Sequence, residues 1–325
     1  MRYVIYGAGG IGSIMGGNLA RAGQEVVLVG RPGHVNAVNN NGLRLITPTG
    51  THIVHIPAVT GPEQVEFTGD EVVCLCVKGQ DTEGALKDLK KETDDVPVFC
   101  FQNGVRNEEI AIQYFPRIYG VMVRVGAVYL EDGEVIARRD PPGWYVMGRY
   151  PEGTDGLVEA IAEDLRTASY FVRVSPEVMP YKWGKLRGNL ANAIGAITNG
   201  RRDDYTPIVN ATQAEFQDIA AEAGIRWLSN EEITRDWSEI NAPLRGSLTT
   251  EAQSSTWQSL ARHQGNVESE YLNGEVVRLA KRIGRTAPIN EGLLRICQEM
   301  AANREPPGKY TTAQLSAILG INTKE

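Results

Sequence analysis

The opening stretch of the chain limits its fold more than any other. Tyr3-Val4-Ile5-Tyr6 reads as a buried strand and Gly7-Ala8-Gly9-Gly10-Ile11-Gly12 as a tight turn. Ile11, Ile14, Met15, Leu19 and Ala22 then recur at helical spacing up to a stop at Gly23. A strand, a glycine turn and a helix in this order form the first unit of a dinucleotide-binding sheet. Gly7 permits the turn, Gly9 lets the backbone approach a pyrophosphate, and Gly12 lets the helix pack close to the strand. Gly10 and Ile11 open that helix, whose free N–H groups and macrodipole favour an anion.

The end of the second strand indicates which dinucleotide. A chain selective for a free ribose 2′-OH places Asp or Glu about 20 residues after the first glycines. Following Gln24-Glu25-Val26-Val27-Leu28-Val29, that place holds Gly30 and Arg31, with His34 close behind. A carboxylate would repel a 2′-phosphate, whereas a guanidinium grips it through two charge-assisted hydrogen bonds. Arg31 therefore points to NADPH as the coenzyme.

At 325 residues the chain has room for two domains. A net charge of −7 and the lack of a basic stripe argue against a nucleic-acid partner. No apolar run approaches the roughly 20 residues that span a bilayer. With the first strand starting at once, no leader is expected either, so the expected location is the cytoplasm. Cys74, Cys76, Cys100 and Cys297 lack the His/Cys partners of a zinc site and read as buried, reduced thiols. No metal is expected.

The first half alternates strands (2–6, 25–29, 71–77, 97–101, 118–123) with helices (10–22, 81–91, 106–113). That alternation predicts a doubly wound parallel sheet of the Rossmann type. Pieces at 43–46 and 52–56 read as an excursion. A hairpin over 124–137, strands at 145–148 and 171–174 and a helix at 155–167 predict antiparallel strands on the sheet edge. Beyond Pro180 the pattern is helical: 181–198, 207–224, 229–240, 247–262, 266–284, 289–302 and 311–319. The expected division is an α/β domain over 1–175 and an all-α domain over 176–325, with a substrate cleft between them.

Ligands of an open parallel sheet meet the carboxyl ends of its strands. Lys78 ends one such strand, and Gln102-Asn103-Gly104 follows another. In the helical half, Lys185, Asn189 and Asn192 are spaced i, i+4, i+7 and share one stripe in a strongly apolar helix. A lysine there must be paired, solvated in a cleft or catalytic, because burying a bare charge is costly. Ser254-Ser255 precedes another helical run. Glu268 and Glu270 open a third on nearly opposite sides, and the pattern does not choose between them.

These elements, in this order, resemble the ketopantoate reductase (2-dehydropantoate 2-reductase) family. The matching pieces are the Gly7–Gly12 loop, Arg31, Lys78, Gln102-Asn103-Gly104, Lys185-x-x-x-Asn189, Ser255 and the Glu268-x-x-Tyr271-Leu272-Asn273-Gly274 segment. The resemblance implies NADPH-dependent reduction of a 2-oxo acid to a 2-hydroxy acid, within pantothenate biosynthesis for the named enzyme. By the same resemblance, Lys185 is the catalytic lysine and Glu268 the carboxylate beside it. Asn189 and Ser255 bind substrate, and Lys78, Asn103 and Ala127 contact the coenzyme.

Some positions depart from the family pattern. Ala193-Ile194 replaces Asn-Pro, Thr256-Trp257-Gln258-Ser259 replaces Met-x-Gln-Asp, Ala252 replaces Asn, and the Ser255–Glu268 interval is one residue longer. Trp257 either narrows the pocket or packs beneath it. These changes leave the 2-oxo acid open. The alternatives are a paralogous reductase of another branched 2-oxo acid, an opine-type dehydrogenase, or a non-catalytic NADPH sensor. Homodimerisation through the helical half is compatible with the pattern but not fixed by it.

Overall fold

The computed structural model describes residues 1–200, 202–235, 237–250 and 253–321. The chain divides into two compact units, Met1–Lys182 with Ser229–Thr250, and Trp183–Leu228 with Glu251–Glu325. The sequence places a single cut near 175; the compact units divide after Lys182, and Ser229–Thr250 groups with the first.

The first unit runs β1 (Arg2–Tyr6), α1 (Gly10–Arg21), β2 (Glu25–Val29), α2 (Pro32–Asn41), β3 (Leu43–Thr47), β4 (Gly50–Val54), β5 (Ala58–Val59), β6 (Glu71–Leu75) and α3 (Thr82–Glu92). It continues with β7 (Val98–Cys100), α4 (Asn107–Ala111), β8 (Ile118–Val125), β9 (Ala127–Val128), β10 (Glu134–Ala137), β11 (Arg139–Asp140), β12 (Gly143–Arg149), α5 (Gly156–Thr167) and β13 (Phe171–Val174). The main sheet has the order β13-β12-β8-β7-β6-β1-β2-β5. It is parallel from β5 to β8, with β12 antiparallel to β8 and β13 parallel to β12. Alternate residues explain why both faces need cover. Tyr3 and Ile5 enter one apolar core, while Val4 enters the other.

Two sequence expectations change here. The hairpin around 124–137 does not extend the main sheet: β9 and β10 join β3 and β4 in a separate sheet, β4-β3-β10-β9. The helix α2 had no apolar period to announce it. It forms because Arg31 is extended (φ −71°, ψ 148°) and Pro32 begins the first turn.

In the second unit, α6 (Met179–Asn189), which begins in the first, leads to α7 (Ala191–Thr198) and α8 (Thr206–Glu222). After the return through α9 (Asn230–Arg235) and β14 (Gly246–Ser247) come α10 (Ser255–Ala261), α11 (Asn273–Arg282), α12 (Pro288–Ala302) and α13 (Thr312–Ile318). Ile194, Ile197, Ile208, Leu293 and Met300 form its core. The helix expected over 247–262 is confined to α10, because β14 pairs antiparallel with β11. Trp237, 3% exposed, further ties the 229–250 segment to the first unit by packing edge-to-face on Trp144 at 5.1 Å.

Candidate functional site

The glycine turn lies where the chain reverses direction in the sheet, between β1 and β6. Ligands of open α/β sheets bind at this switch point. Gly7 has φ +114°, and a Cβ there would run into Val77 N and the Cys76 carbonyl carbon. A Cβ on Gly12 would strike the Gly7 carbonyl oxygen and lie 3.0 Å from Ile5 Cγ2. Gly9 is different, since nothing stands within 4 Å of where its Cβ would be. Gly10 would meet Ala127 Cβ at 3.1 Å, which places Ala127 beside the loop. The first turn of α1, Gly10 to Gly12, carries no acidic residue. An open backbone cradle at a helix N-terminus without opposing charge fits a pyrophosphate.

Beyond β2, the Arg31 side chain is exposed and has no ion pair or hydrogen bond among the described residues. His34 turns inward instead. Gly133 N–H donates to its Nδ1 at 2.9 Å, so Nε2 carries the proton and donates to Ser13 Oγ at 3.1 Å. This buried neutral imidazole latches α2 and the 129–133 turn onto α1. The same turn brings Asp132 beside Gly33, held by a hydrogen bond from Tyr129 OH to Asp132 Oδ1 at 2.7 Å.

Lys78 and Asn103, both half-buried, follow β6 and β7. Beneath them lies a polar network the sequence did not announce. Gln102 Nε2 donates to the Val77 carbonyl at 2.8 Å and to Thr82 Oγ1 at 2.7 Å. Thr82 Oγ1 donates to Asn107 Oδ1 at 2.9 Å, and Asn107 Nδ2 to the Asn103 carbonyl at 2.8 Å. Lys182 donates to the Gln102 carbonyl at 3.3 Å and pairs with Glu108, both side chains being buried. Burial pushes the Glu108 carboxyl above its ordinary value, against the pull of Lys182. These bonds fix the backbone from which Asn103 projects.

The candidate catalytic and substrate residues all fall in the second unit. Lys185 and Asn189 are half-buried on α6, and Asn192 is half-buried on α7. The stripe they share is interrupted at Leu190, where the two helices part. Gly184 makes room for the neighbouring chain, since a Cβ there would strike the Leu228 carbonyl. Of the two carboxylates left open by the sequence, Glu268 is 4% exposed, whereas Glu270 is half-buried and accepts from Gln298 Nε2 at 3.2 Å. Ser254, not Ser255, caps α10 by accepting from Trp257 N. The Ser255 hydroxyl is buried and has no hydrogen-bond partner among the described residues. Trp257 packs on the helical core and donates to Asn199 Oδ1 at 2.8 Å. Ala252 lies outside the described residues.

Of the four cysteines, Cys76 is half-buried and lies against Gly7 and Gly12 of the glycine loop. Cys74, Cys100 and Cys297 are buried, and burial pushes the Cys297 thiol up to about 12. Among the described residues no cluster of three or more His, Cys, Asp or Glu side chains suits a metal, and no helix is long and apolar enough to cross a membrane.

The sequence pattern of "Ketopantoate reductase PanE/ApbA" matches residues 3–152, and that of its C-terminal part matches residues 177–301. The chain belongs to the ketopantoate reductase family. It is 32% identical over 298 residues to a 2-dehydropantoate 2-reductase of Pyrococcus horikoshii, covering 89% of this chain and 94% of that one. A second relative of the same name, from Pyrococcus abyssi, is 27% identical, with 89% and 94% covered. Among solved structures, a PanE/ApbA-family ketopantoate reductase from Ralstonia eutropha aligns with TM-score 0.77 and 29% identity, over 94% of this chain and 99% of that one. A D-mandelate dehydrogenase, solved with NADH and anilino(oxo)acetate, aligns with the same TM-score of 0.77 at 22% identity and shares the fold. As a member of the ketopantoate reductase family, the chain is an oxidoreductase of the class acting on CH–OH groups.

Proposed function

We propose that the chain reduces a 2-oxo acid to a 2-hydroxy acid with NADPH, and that 2-dehydropantoate, giving pantoate, is its substrate. The observation that carries the substrate reading is the Ser255 hydroxyl, buried without a partner among the described residues, in the unit that holds Lys185. A buried polar group left unbonded by the protein calls for a partner from outside, and a substrate carboxylate supplies an acceptor.

The bound coenzyme supplies the hydride. Gly10, Ile11 and Gly12 offer backbone N–H groups to its pyrophosphate, Gly9, whose own N–H donates to the Gly7 carbonyl, leaves room for it, and Arg31 offers its guanidinium to the 2′-phosphate. The Lys185 ammonium donates to the ketone oxygen, stabilises the charge that grows there, and passes a proton to it as carbon 2 is reduced. Glu268 keeps that amine charged. Asn189 orients the substrate hydroxyl, while Lys78 and Asn103 contact the coenzyme.

A second reading, another branched 2-oxo acid, is favoured by Ser259. Where the family pattern has an acid, this hydroxyl donates to the Ser255 carbonyl at 2.8 Å and brings no charge to its position on α10. The decisive test follows NADPH oxidation with 2-dehydropantoate and a panel of bulkier 2-oxo acids, each with and without an amine. The expected outcome is highest kcat/KM for 2-dehydropantoate without amine. A bulkier acid in first place establishes the second reading, an absolute amine requirement makes the enzyme opine-type, and no turnover with any acid leaves a sensor.

A further inference from the structure

A cavity of about 340 Å³ opens in the first unit, and three arginines line it: Arg21 at the end of α1, Arg139 on β11, and Arg245 just before β14. Among the described residues the one carboxylate in the lining is Asp140, already engaged by Arg245 Nε at 3.0 Å and by Thr49 Oγ1 at 2.9 Å. Among the described residues the Arg21 side chain makes one weak hydrogen bond, to Asn18 Oδ1 at 3.3 Å. Arg139 is exposed and has no ion pair or hydrogen bond from its side chain among the described residues. The lining thus concentrates uncompensated positive charge in a concavity, within a chain of net charge −7. Concave surfaces of one sign focus potential and gather counter-ions. The field also reaches the nearby imidazole: burial and then Arg21 hold His52 below its ordinary value.

We propose that this cavity binds a small phosphate dianion, either inorganic phosphate or a phosphomonoester. Guanidinium forks match phosphate oxygens in geometry and charge, and the volume leaves room for the organic part of a phosphomonoester beside the phosphate. The site is separate from the glycine loop. α1 spans 12 residues between Gly10 and Arg21, and at ~1.5 Å per residue the two ends stand about 17 Å apart. A bound dianion would bridge Arg245 to Arg139 and Arg21. It would thereby clamp the short β11–β14 pairing, held by two residue pairs and by Arg245 N–H donating to the Asp140 carbonyl at 2.7 Å.

The test is calorimetric titration of inorganic phosphate, glucose 6-phosphate and succinate at constant ionic strength, with the thermal midpoint followed in parallel. The expected result is saturable binding of a phosphate probe that raises the midpoint. Binding should weaken about tenfold or more in Arg139→Gln and further in the Arg21→Gln, Arg139→Gln pair, yet persist in Arg31→Gln. Arg139 is exposed, so its variant tests the site even where the double variant folds poorly. Inorganic phosphate alone binding identifies the free ion, and glucose 6-phosphate binding more tightly identifies a phosphomonoester. Preference for succinate, full affinity in Arg139→Gln, or a loss confined to Arg31→Gln overturns the proposal.

Discussion

Asn273 Nδ2 donates to the carbonyl oxygen of Leu190 at 3.3 Å, at the point where α6 gives way to α7. The same nitrogen donates to Asn290 Oδ1 at 3.0 Å, and Asn290 Nδ2 in turn donates to Glu215 Oε2 at 2.8 Å. Glu215 also accepts the Ile289 and Asn290 backbone N–H groups at 3.0 and 2.9 Å, closing the start of α12. A continuous buried relay thus runs from the end of the helix bearing Lys185 and Asn189 to the middle of α8. Asn273→Leu should cost about 1–3 kcal/mol by removing the bond to the Leu190 carbonyl and stranding the Asn290 amide oxygen. It should also lower kcat more than it raises KM, because the helix end that sets Asn189 loosens. Urea denaturation and steady-state kinetics check both; unchanged stability would remove the relay from the account.

Lys185→Ala should reduce kcat by about a hundredfold or more, the range of a lost acid and charge stabiliser, while NADPH still binds. Fluorescence titration of the coenzyme separates the two effects. Turnover at the wild-type rate would exclude the lysine from the chemistry.

Arg31→Ala should weaken NADPH about tenfold or more relative to NADH, since only NADPH loses a charge-assisted bond. Asp132, whose carboxylate stands beside Gly33, would oppose a 2′-phosphate held by Arg31, so Asp132→Asn should move the ratio the other way. Dissociation constants for both coenzymes provide the check. Equal losses for NADPH and NADH in Arg31→Ala would refute the phosphate role.

Lys182→Met should destabilise the first unit by about 3–5 kcal/mol, because it leaves the buried Glu108 carboxyl without its partner. The pair Lys182→Met, Glu108→Leu should recover much of that loss. Chemical denaturation of the three proteins measures the difference, and an additive double variant would show that the two groups act independently.

Glu71 supplies a pH dependence. Burial raises its carboxyl, but the Gly69 N–H, Arg2, and the Thr68 hydroxyl and N–H outweigh burial and hold it below its ordinary value. A carboxylate whose folded value lies below its unfolded one, near ~4.3, stabilises fully above that point. The contribution is lost as pH falls through the folded value. Glu71→Gln should therefore lower stability near pH 7 by about 1–3 kcal/mol and flatten the loss below about pH 4. Denaturation midpoints across acid pH test the slope.

Features governed by local chemistry were legible along the chain. The β1–α1 turn could be read because Gly7 has to accept φ +114° and Gly12 has to admit a neighbouring carbonyl, demands that one residue type meets. Lys185 and Asn189 could be paired because helical spacing alone puts them on one stripe. Other features depend on partners far away in the chain. Lys182 meets Glu108 across 74 residues, Trp237 and β14 return to the first unit, and Leu190 parts two helices that read as one. Periodicity records which face of an element is buried, not which surface covers it. Burial, long-range pairing and the orphaned Ser255 hydroxyl arise only when those surfaces meet.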